Sequence, residues 1–415
     1  MKDKKRIPIG IDNFNEIINY NYYYVDKTKM IEELIINRSK VSLFPRPRRF
    51  GKTLMLSTID EFFNIEKAKE NEKLFEGLYI SKSKYANMQG KYPVIRINFK
   101  KVQSLTWEAL YERIEIIMQE LYRKFIYIQE KLEKTERDFF QAILNKSASQ
   151  GEEEQALSEL SKYLERYYNQ KVILLIDEYD VPVQCGVENS FYEEVISFIK
   201  NLFGNALEIN NVVEMAIITG ILKANISDLS GTGEKNYNEY YGFTVEETKK
   251  MLKYFNLELT TKVKRMYDGY KFNGLEIYNP WSIINYCSKK VIDNFWINTS
   301  SNGLIKQVLN NTENIVPVLR ELMGGETREC IYNEKLTFLD LKNQIDTDTA
   351  LNFLVLTGYL SVEKIDYTEY GRMIQVKIPN MEVQSIYNEI VRDWLVDNSA
   401  VSPTELIYLK REMEK

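Results

Sequence analysis

Four short apolar runs, each followed by polar residues and then by helical periodicity, dominate the first part of the chain. They lie at residues 41–44, 92–99, 171–177 and 212–220, and the second of them alternates apolar and polar positions as a strand does. The third run is continuously apolar between charged ends, which is typical of a parallel strand buried on both faces. Because the segments between the runs are long enough for helical crossovers, the pattern predicts a three-layer α/β domain with a parallel sheet.

The segments between these runs carry helical periodicity. Residues 54–63 predict an amphipathic helix directly after the first strand, and residues 106–145 show helical spacing without proline. A polar break at 149–154 precedes another helix that ends near residue 168. We interpret about 106–168 as a helical insertion in an α/β core that spans residues 1–242.

The character of the chain changes after Gly242. Thr244 and Glu247 form a capping-box pattern that predicts a helix start, and helical segments then dominate to about residue 322. We therefore predict a helical lid over 243–335, interrupted by a break at 267–274.

The last part of the chain predicts a small module over residues 336–415. Its pattern is a helix at 349–357, a hairpin formed by 358–364 and 373–378, and a helix from Glu382. The order of helix, hairpin and helix resembles a winged-helix module.

Composition restricts the chemistry. The chain has 415 residues and no histidine, which excludes Ser-His-Asp and Cys-His catalysis and HExxH zinc peptidases within this polypeptide. A general base at neutral pH then has to be a carboxylate, a tuned lysine or tyrosine, or a metal-bound water. The formal net charge of −5 argues against a protein coated in nucleic acid, although a local basic face stays open.

The cysteines and the hydropathy indicate a cytoplasmic protein without a membrane partner. Cys185, Cys287 and Cys330 are widely spaced and odd in number, which favours reduced thiols over a disulfide framework or a CxxC metal site. We find no signal-peptide pattern at the N-terminus and no apolar run of the roughly 18–20 residues that span a bilayer.

A phosphate-loop pattern follows the first apolar run. Gly51 permits close backbone approach at a helix N-terminus, Lys52 suits the β- and γ-phosphate oxygens of ATP, and the Thr53 hydroxyl suits Mg²⁺. Arg46 occupies the position of the first glycine, which restricts the shape of the loop. The alternative is a Lys-capped turn that opens a core helix. The candidate nucleotide-binding loop consists of Arg46, Pro47, Arg48, Arg49, Phe50, Gly51, Lys52 and Thr53.

Two acids follow the third apolar run. A P-loop ATPase places an aspartate at this strand end to hold the Mg²⁺ shell and a glutamate after it to polarise the attacking water, and Asp177 and Glu178 fit these roles. Thr219 ends the next strand, where a polar sensor would contact the γ-phosphate or the water. A threonine that merely caps the strand end is an equal alternative.

Other residues have two interpretations each. Arg48 and Arg49 either stabilise phosphate charge or form intramolecular salt bridges. Tyr24 and Asp26 either contact the base or ribose or belong to an N-terminal strap, and Pro280 lies either against adenine or in a tight turn beside a core tryptophan.

Together, the motifs resemble the bacterial AAA-ATPase-like family. The resemblance is carried by residues 7–10, 24–28, 46–53, 176–180 and 219–222, and later strings at 240–244, 267–272 and 278–282 resemble the lid segment of that family. It implies an AAA+/STAND-like P-loop NTPase with an ATPase core, a helical lid and a winged helix. The phosphate loop of the family ordinarily contains Arg-Pro-Arg-Arg, in keeping with Arg46.

Two departures from the family pattern accompany the resemblance. Residues 228–235 look shortened and Lys223 stands where an arginine would be unsurprising, which leaves the source of any sensor or arginine finger open. A PD-(D/E)XK nuclease-like domain commonly follows this ATPase module, and we expect it to be missing from this chain. We interpret Asp366 and Lys377, the nearest nuclease-like pair, as part of the hairpin.

The sequence predicts Mg²⁺-dependent ATP binding and hydrolysis. Lys52 would neutralise phosphate charge, Thr53 and Asp177 would hold Mg²⁺, Glu178 would orient the water and Thr219 would sense the γ-phosphate. The alternative is a slow nucleotide-gated switch or interaction module with little ATPase activity. A homo-oligomer stays open, and nucleic acid enters as a partner only through the missing nuclease-like domain.

Overall fold

The computed structural model describes residues 4–207, 210–222, 235–272, 274–296, 303–369 and 371–398; for residues 235–236, 303 and 391–398 it describes the backbone alone. The chain divides into two compact units. Unit 1 comprises Met1–Pro47, Gly51–Tyr241 and Thr337–Leu339, and unit 2 comprises Arg48–Phe50, Gly242–Leu336 and Asp340–Lys415. The predicted lid and the predicted C-terminal module thus fall largely in one unit.

Unit 1 is built on a four-stranded parallel sheet of order β1-β4-β3-β2. The strands are β1 (Val41–Pro45), β2 (Val94–Asn98), β3 (Val172–Asp177) and β4 (Val213–Gly220). All six residues of β3 are buried, as its uninterrupted apolar run predicts. The predicted α/β class and the parallel sheet are confirmed.

Two helices of unit 1 precede β1, and the others lie in the connections between its strands. The helices are α1 (Phe14–Asn19), α2 (Lys29–Asn37), α3 (Lys52–Phe63), α4 (Trp107–Lys124), α5 (Lys134–Leu144), α6 (Gln150–Glu153), α7 (Ala156–Tyr168), α8 (Val181–Glu188) and α9 (Tyr192–Leu207). The periodic segment 106–145 forms the two helices α4 and α5, and Glu133 and Glu136 make a capping box that starts α5. Ser149 and Glu152 make another and start α6 inside the predicted polar break.

Unit 2 combines seven helices among its described residues with two three-stranded antiparallel sheets. The helices are α10 (Val245–Tyr254), α11 (Thr261–Tyr267), α12 (Pro280–Lys289), α13 (Gly303–Asn311), α14 (Ile315–Met323), α15 (Thr347–Thr357) and α16 (Met381–Asn398). The strands are β5 (Phe243–Thr244), β6 (Tyr270–Phe272), β7 (Leu275–Tyr278), β8 (Arg328–Ile331), β9 (Ser361–Thr368) and β10 (Gly371–Lys377). The sheet orders are β5-β7-β6 and β8-β10-β9.

Local signals in unit 2 are confirmed where they are strongest. The Thr244 hydroxyl accepts from the Glu247 N–H (3.3 Å) and the Glu247 carboxylate accepts from the Thr244 N–H (2.8 Å), which completes the predicted capping box. The predicted hairpin forms as β9 and β10, and β8 adds a third strand beside β10. The winged-helix identity of this module stays a prediction.

Neither a disulfide nor a membrane-spanning helix is found among the described residues. Cys185, Cys287 and Cys330 are all buried free thiols. Among the helices of the described residues, none has the length and apolarity that crossing a bilayer requires.

Glu382 at the start of α16 is a buried polar hub of unit 2. Its carboxylate accepts from the N–H groups of Phe295 (2.8 Å) and Trp296 (3.0 Å) and from the Ser282 hydroxyl (2.7 Å). Burial raises the pKa of Glu382, although these three donors oppose the shift. One side chain thus joins α12, the segment at 295–296 and α16.

Removing this acceptor should destabilise unit 2. We expect Glu382→Ala to lower the free energy of unfolding by roughly 3 kcal/mol, because two buried N–H groups and a hydroxyl lose their acceptor. Urea unfolding followed by fluorescence measures the change, and Met381→Ala, at a side chain that is 48% exposed, is the neighbouring control. Equal losses in the two variants would contradict the hub role.

Candidate functional site

The carboxyl ends of the parallel strands bring the candidate residues to one edge of the sheet. Phe44 of β1 lies beside Thr219 of β4, and Asn98 of β2 lies beside Asp177 of β3. Because β4 lies between β1 and β3, Thr219 separates the strand that leads into the phosphate loop from the strand that carries the acids. Ligands of open parallel sheets bind at this edge.

Asp177 is the centre of this edge. Its Oδ1 accepts a hydrogen bond from the Thr219 hydroxyl at 2.6 Å, and its Oδ2 accepts from the Asn98 amide at 2.8 Å. The Thr53 side chain, on the first turn of α3, also hydrogen-bonds to this carboxylate. Three elements of unit 1 therefore hold one acid, and we call this arrangement the Asp177 clamp.

Burial governs the charge of the clamp. Asp177 is fully buried, and desolvation raises its pKa more than the hydrogen bonds from Thr219 and Thr53 lower it; the neighbouring Glu178 charge raises it further. A site that disfavours a lone negative charge gains from an added cation. The clamp therefore favours a bound metal ion on electrostatic grounds.

The phosphate loop ends in a turn that exposes a helix N-terminus. Gly51 is the N-cap of α3 and has φ of 88°, a left-handed conformation that favours glycine. Because glycine has no side chain to cap the helix, the first-turn N–H groups of this 12-residue helix are left for another acceptor. The local geometry suits an anion.

The Lys52 side chain is buried and hydrogen-bonds to carbonyl groups of its own loop. It is 4% exposed, and its ammonium donates to the carbonyl oxygens of Arg46 (2.8 Å) and Pro47 (3.2 Å). A phosphate contact would require Nζ to exchange at least one of these carbonyls for a phosphate oxygen.

The structure explains why arginine is tolerated where the usual loop has glycine. The backbone at Arg46 is not left-handed, whereas Arg49 (φ 68°) and Gly51 are. The Arg46 guanidinium donates to the Pro45 carbonyl (2.9 Å) and the Asn238 side chain (2.8 Å). Arg46 therefore braces the loop from within unit 1.

Arg49 and Phe50 are anchored in unit 2. The Arg49 guanidinium lies 3.9 Å from the centre of the Trp281 ring, a cation–π contact, and burial lowers the pKa of Arg49, with Arg48 adding to the shift. Phe50 is fully buried, with ring centres 5.1 Å from Tyr270 and 5.4 Å from Phe272. Arg49 thus contacts an aromatic ring, a partner that neither interpretation of the sequence included.

Residues after Asp177 form a strained and tightly bonded turn. Glu178 is half-buried and has φ of 54°, which is uncommon for a residue other than glycine. Asp180 Oδ2 accepts from the N–H groups of Ile221 (2.7 Å) and Leu222 (3.1 Å), and the Tyr179 hydroxyl donates to the Leu222 carbonyl (2.7 Å). This turn connects the end of β3 to the segment that follows β4.

Sequence reasoning missed Asn98 and Asp180 as site residues. Asn98 is the last residue of β2, so the strand-end rule that selected Asp177 and Thr219 could have found it. Its relevance depends on β2 lying beside β3, which the linear pattern does not specify. Asp180 belongs to segment 176–180, which carries part of the family resemblance. Its hydrogen bonds to residues 221 and 222, however, form only in the folded sheet.

Tyr24 and Asp26 lie in local structure near the N-terminus. The Asp26 carboxylate accepts from the Thr28 N–H (2.9 Å), the Thr28 hydroxyl (2.7 Å) and the Tyr79 N–H (2.7 Å), which fixes the turn before α2. The Tyr24 ring meets Phe14 edge-on at 5.1 Å. These contacts agree with the strap interpretation, and a role at the base or ribose stays a prediction.

Pro280 opens α12 in unit 2. The preceding Asn279 caps the helix by accepting from the Trp281 N–H (2.9 Å), and the Trp281 indole N–H donates to the Phe295 carbonyl (2.9 Å). This agrees with the tight-turn interpretation, and a contact of Pro280 with adenine stays a prediction. Lys223, residues 228–234 and the chain end at 399–415 lie outside the described residues.

Sequence comparisons with known proteins cover the part of the chain that carries this site. The sequence profile of the AAA-ATPase-like family, described as a predicted AAA-ATPase, matches residues 8–230. An uncharacterized protein in the vnfD 5′ region of Azotobacter chroococcum mcd 1 is 26% identical over 400 residues, which cover 93% of this chain and 70% of that protein. The profile match includes all four strands of the parallel sheet, the phosphate loop and the Asp177 clamp.

The buried Asp180 should make stability depend on pH. Burial, with the nearby Glu178 charge, raises the pKa of Asp180 from 3.8 to about 6. The folded state therefore binds the proton more tightly than the unfolded state, so stability is lost as the pH rises from about 4 to above 6, by roughly 3 kcal/mol for such a shift.

We expect Asp180→Asn to remove that part of the pH dependence. Urea unfolding at pH 4.5 and pH 7 measures it in both proteins, and Asp138→Asn at an exposed position of α5 is the matched control. An unchanged pH dependence in Asp180→Asn would show that the carboxyl is not buried in the manner described.

Proposed function

This chain belongs to the AAA-ATPase-like family of predicted AAA-ATPases, and we propose that its strand-edge site binds ATP with Mg²⁺ and hydrolyses it. The Asp177 clamp is the observation that carries the proposal. It joins an acid at the end of β3 to a threonine at the end of β4 and to the threonine of the phosphate loop. P-loop NTPases use this combination to hold a metal beside transferring phosphate.

The phosphate loop would bind the triphosphate by its helix N-terminus and its lysine. The N–H groups of the first turn of α3 are donors for phosphate oxygens, and Gly51 allows the ligand to approach the backbone. Lys52 would exchange its bonds to the Arg46 and Pro47 carbonyls for the β- and γ-phosphates. Arg46 would support the shape of the loop, and Arg48 and Arg49 would add positive charge.

Thr53 and Asp177 are the residues that would hold Mg²⁺. Hydroxyl and carboxylate oxygens suit this ion, which usually keeps waters and takes phosphate oxygens as further ligands. No group of three or more cysteine, aspartate or glutamate side chains able to hold a metal is found in the described part of the chain. When bound, Mg²⁺ would neutralise charge on the phosphate oxygens.

Glu178 and Thr219 would orient the attacking water by hydrogen bonds. Glu178 follows the clamp on a strained turn, and strain of this kind accumulates at functional positions. The Thr219 hydroxyl donates its one proton to Asp177, so its oxygen can only accept from a further partner. A water is such a donor, whereas a γ-phosphate oxygen is not, so we assign Thr219 to the water.

A slow nucleotide-gated switch is the second candidate. The observation that favours it is that Lys52 and Arg49 already have partners, in loop carbonyls and in the Trp281 ring. A nucleotide would have to displace these contacts, which suits a site that changes state more than one that turns over rapidly. Coupling to a nuclease-like domain and assembly into homo-oligomers are proposals that rest on the family resemblance alone.

Replacing the proposed base distinguishes the two functions. We expect Glu178→Gln to lower kcat for ATP hydrolysis by about 100-fold or more, because proton transfer by a positioned side chain contributes about that factor. The KM for ATP should change little, since Glu178 is not assigned to binding. Phosphate release at saturating MgATP measures the rate, and Glu194→Gln on the exposed face of α9 is the control.

The outcomes separate clearly. Rapid hydrolysis that survives Glu178→Gln would contradict the assignment of the base. Tight retention of nucleotide with negligible turnover in both proteins would favour the switch. If ATP does not bind to the wild-type chain and Lys52→Ala behaves identically, both functions fail.

A further inference from the structure

Unit 2 contains a cavity of about 1100 Å³ that the nucleotide site does not explain. Helices α11, α14 and α16 and the end of β10 supply most of its lining, and all of its lining residues belong to unit 2. Its volume lies slightly above the usual range for small-molecule sites, roughly 300–1,000 Å³. We call it the unit 2 cavity.

One wall of this cavity is rigidly built. Gly269 has φ of +102°, and a Cβ there would lie 1.9 Å from the Pro379 carbonyl oxygen, so the turn after α11 packs directly on the segment before α16. The Asn380 amide donates to the Asp268 carbonyl (2.8 Å), while its side-chain oxygen accepts from the Val383 N–H (3.0 Å). Such a wall is formed before any ligand binds.

The cavity has an apolar part that is partly open to solvent. One face of α14 contributes Ile315, Val316 and Leu319, and Met381 adds a side chain from the start of α16. Val316 is 40% exposed and Met381 is 48% exposed, whereas Ile315 and Leu319 are buried. An apolar ligand body would remove the two exposed side chains from water.

The charge of the cavity is opposite in sign to that of the whole chain. Five basic side chains line it against three acidic ones, whereas the chain has a net charge of −5. Lys264, Arg265 and Arg320 have no acidic partner among the residues that the structure describes. The excess charge therefore favours an anion.

Of the three acids of the cavity, Glu363 is neutralised by two lysines, Asp268 accepts a hydrogen bond from a tyrosine and Glu276 is exposed. Glu363 lies between Lys271 (2.9 Å) and Lys377 (2.8 Å), and these lysines lower its pKa although burial opposes the shift. The Asp268 carboxylate accepts from the Tyr278 hydroxyl at 2.6 Å. These contacts leave the basic side chains of α11 and α14 as the groups best placed for a ligand.

We infer that the unit 2 cavity binds an organic anion, a small molecule with an apolar body and a carboxylate, phosphate or sulfonate head. The apolar body packs against Val316, Leu319 and Met381, and the head pairs with Arg320 and Lys264. This site is separate from the proposed ATPase function, so either proposal can fail without the other.

A pair of fluorescent probes tests the need for both parts of the ligand. 8-Anilinonaphthalene-1-sulfonate is an anion, and N-phenyl-1-naphthylamine has a similar body without the sulfonate. With MgATP in excess to occupy any nucleotide site, we expect one sulfonate probe per chain, bound about tenfold more tightly than the neutral probe, as a charged hydrogen bond provides.

Variants locate the site. Arg320→Gln and Lys264→Gln should each weaken binding of the anionic probe about fivefold to tenfold and leave the neutral probe unchanged. Lys262→Gln, on the same helix as Lys264 but outside the lining, is the control. Val316→Trp, at an exposed position, should weaken binding of both probes, because the indole would occupy the apolar part of the cavity where their bodies pack, with the thermal unfolding temperature unchanged.

Displacement of the probe identifies the body of the ligand. Displacement by dodecanoate would indicate an aliphatic carboxylate, and displacement by phenyl phosphate, which lacks the nucleoside of the ATP already present, would indicate an aromatic phosphate; either result supports the site. The inference is overturned if neither displaces the probe, if the two probes bind equally, or if the Arg320→Gln and Val316→Trp variants bind like the wild type.

Discussion

The buried carboxylate of Asp177 is the constraint on which the rest of the site depends. A carboxylate without water needs donors or a cation, and unit 1 supplies donors from β2 and β4 and from the start of α3. These groups meet only because four parallel strands end together at one edge, in the order β1-β4-β3-β2. The clamp thus connects the phosphate loop to the ends of both neighbouring strands. Burial raises the pKa of Asp177 more than its hydrogen-bond donors lower it.

The same principle operates in the phosphate loop, where three of the four cations have partners within the protein. Lys52 bonds loop carbonyls, Arg46 bonds Asn238 and Arg49 stacks on Trp281. In the proposed function, a triphosphate would exchange these contacts for new ones, and its binding free energy would be the difference between the two sets. This exchange would determine whether the site works as a rapid hydrolase or as a slow switch.

Sequence alone was sufficient wherever the signal is local. The apolar runs predicted all four parallel strands, and the capping box at Thr244 predicted the start of α10. The boxes that start α5 and α6 were equally local but were overlooked within a long periodic segment and a polar break. Asn98 and the Arg49 contact with Trp281 could not be predicted, because they depend on strand order and on residues far apart in the chain. The roles of the candidate site residues stay predictions.

Isothermal titration calorimetry of ATP with and without Mg²⁺ tests the central claim most directly. The claim is that Thr53 and Asp177 form a metal site that needs the nucleotide. It predicts that the wild-type chain binds ATP at least about tenfold more tightly with Mg²⁺ than with EDTA, and that Thr53→Ala loses this difference while the Thr53→Ser variant keeps it. Equal affinity in Mg²⁺ and EDTA, or a metal dependence that survives Thr53→Ala, would contradict it.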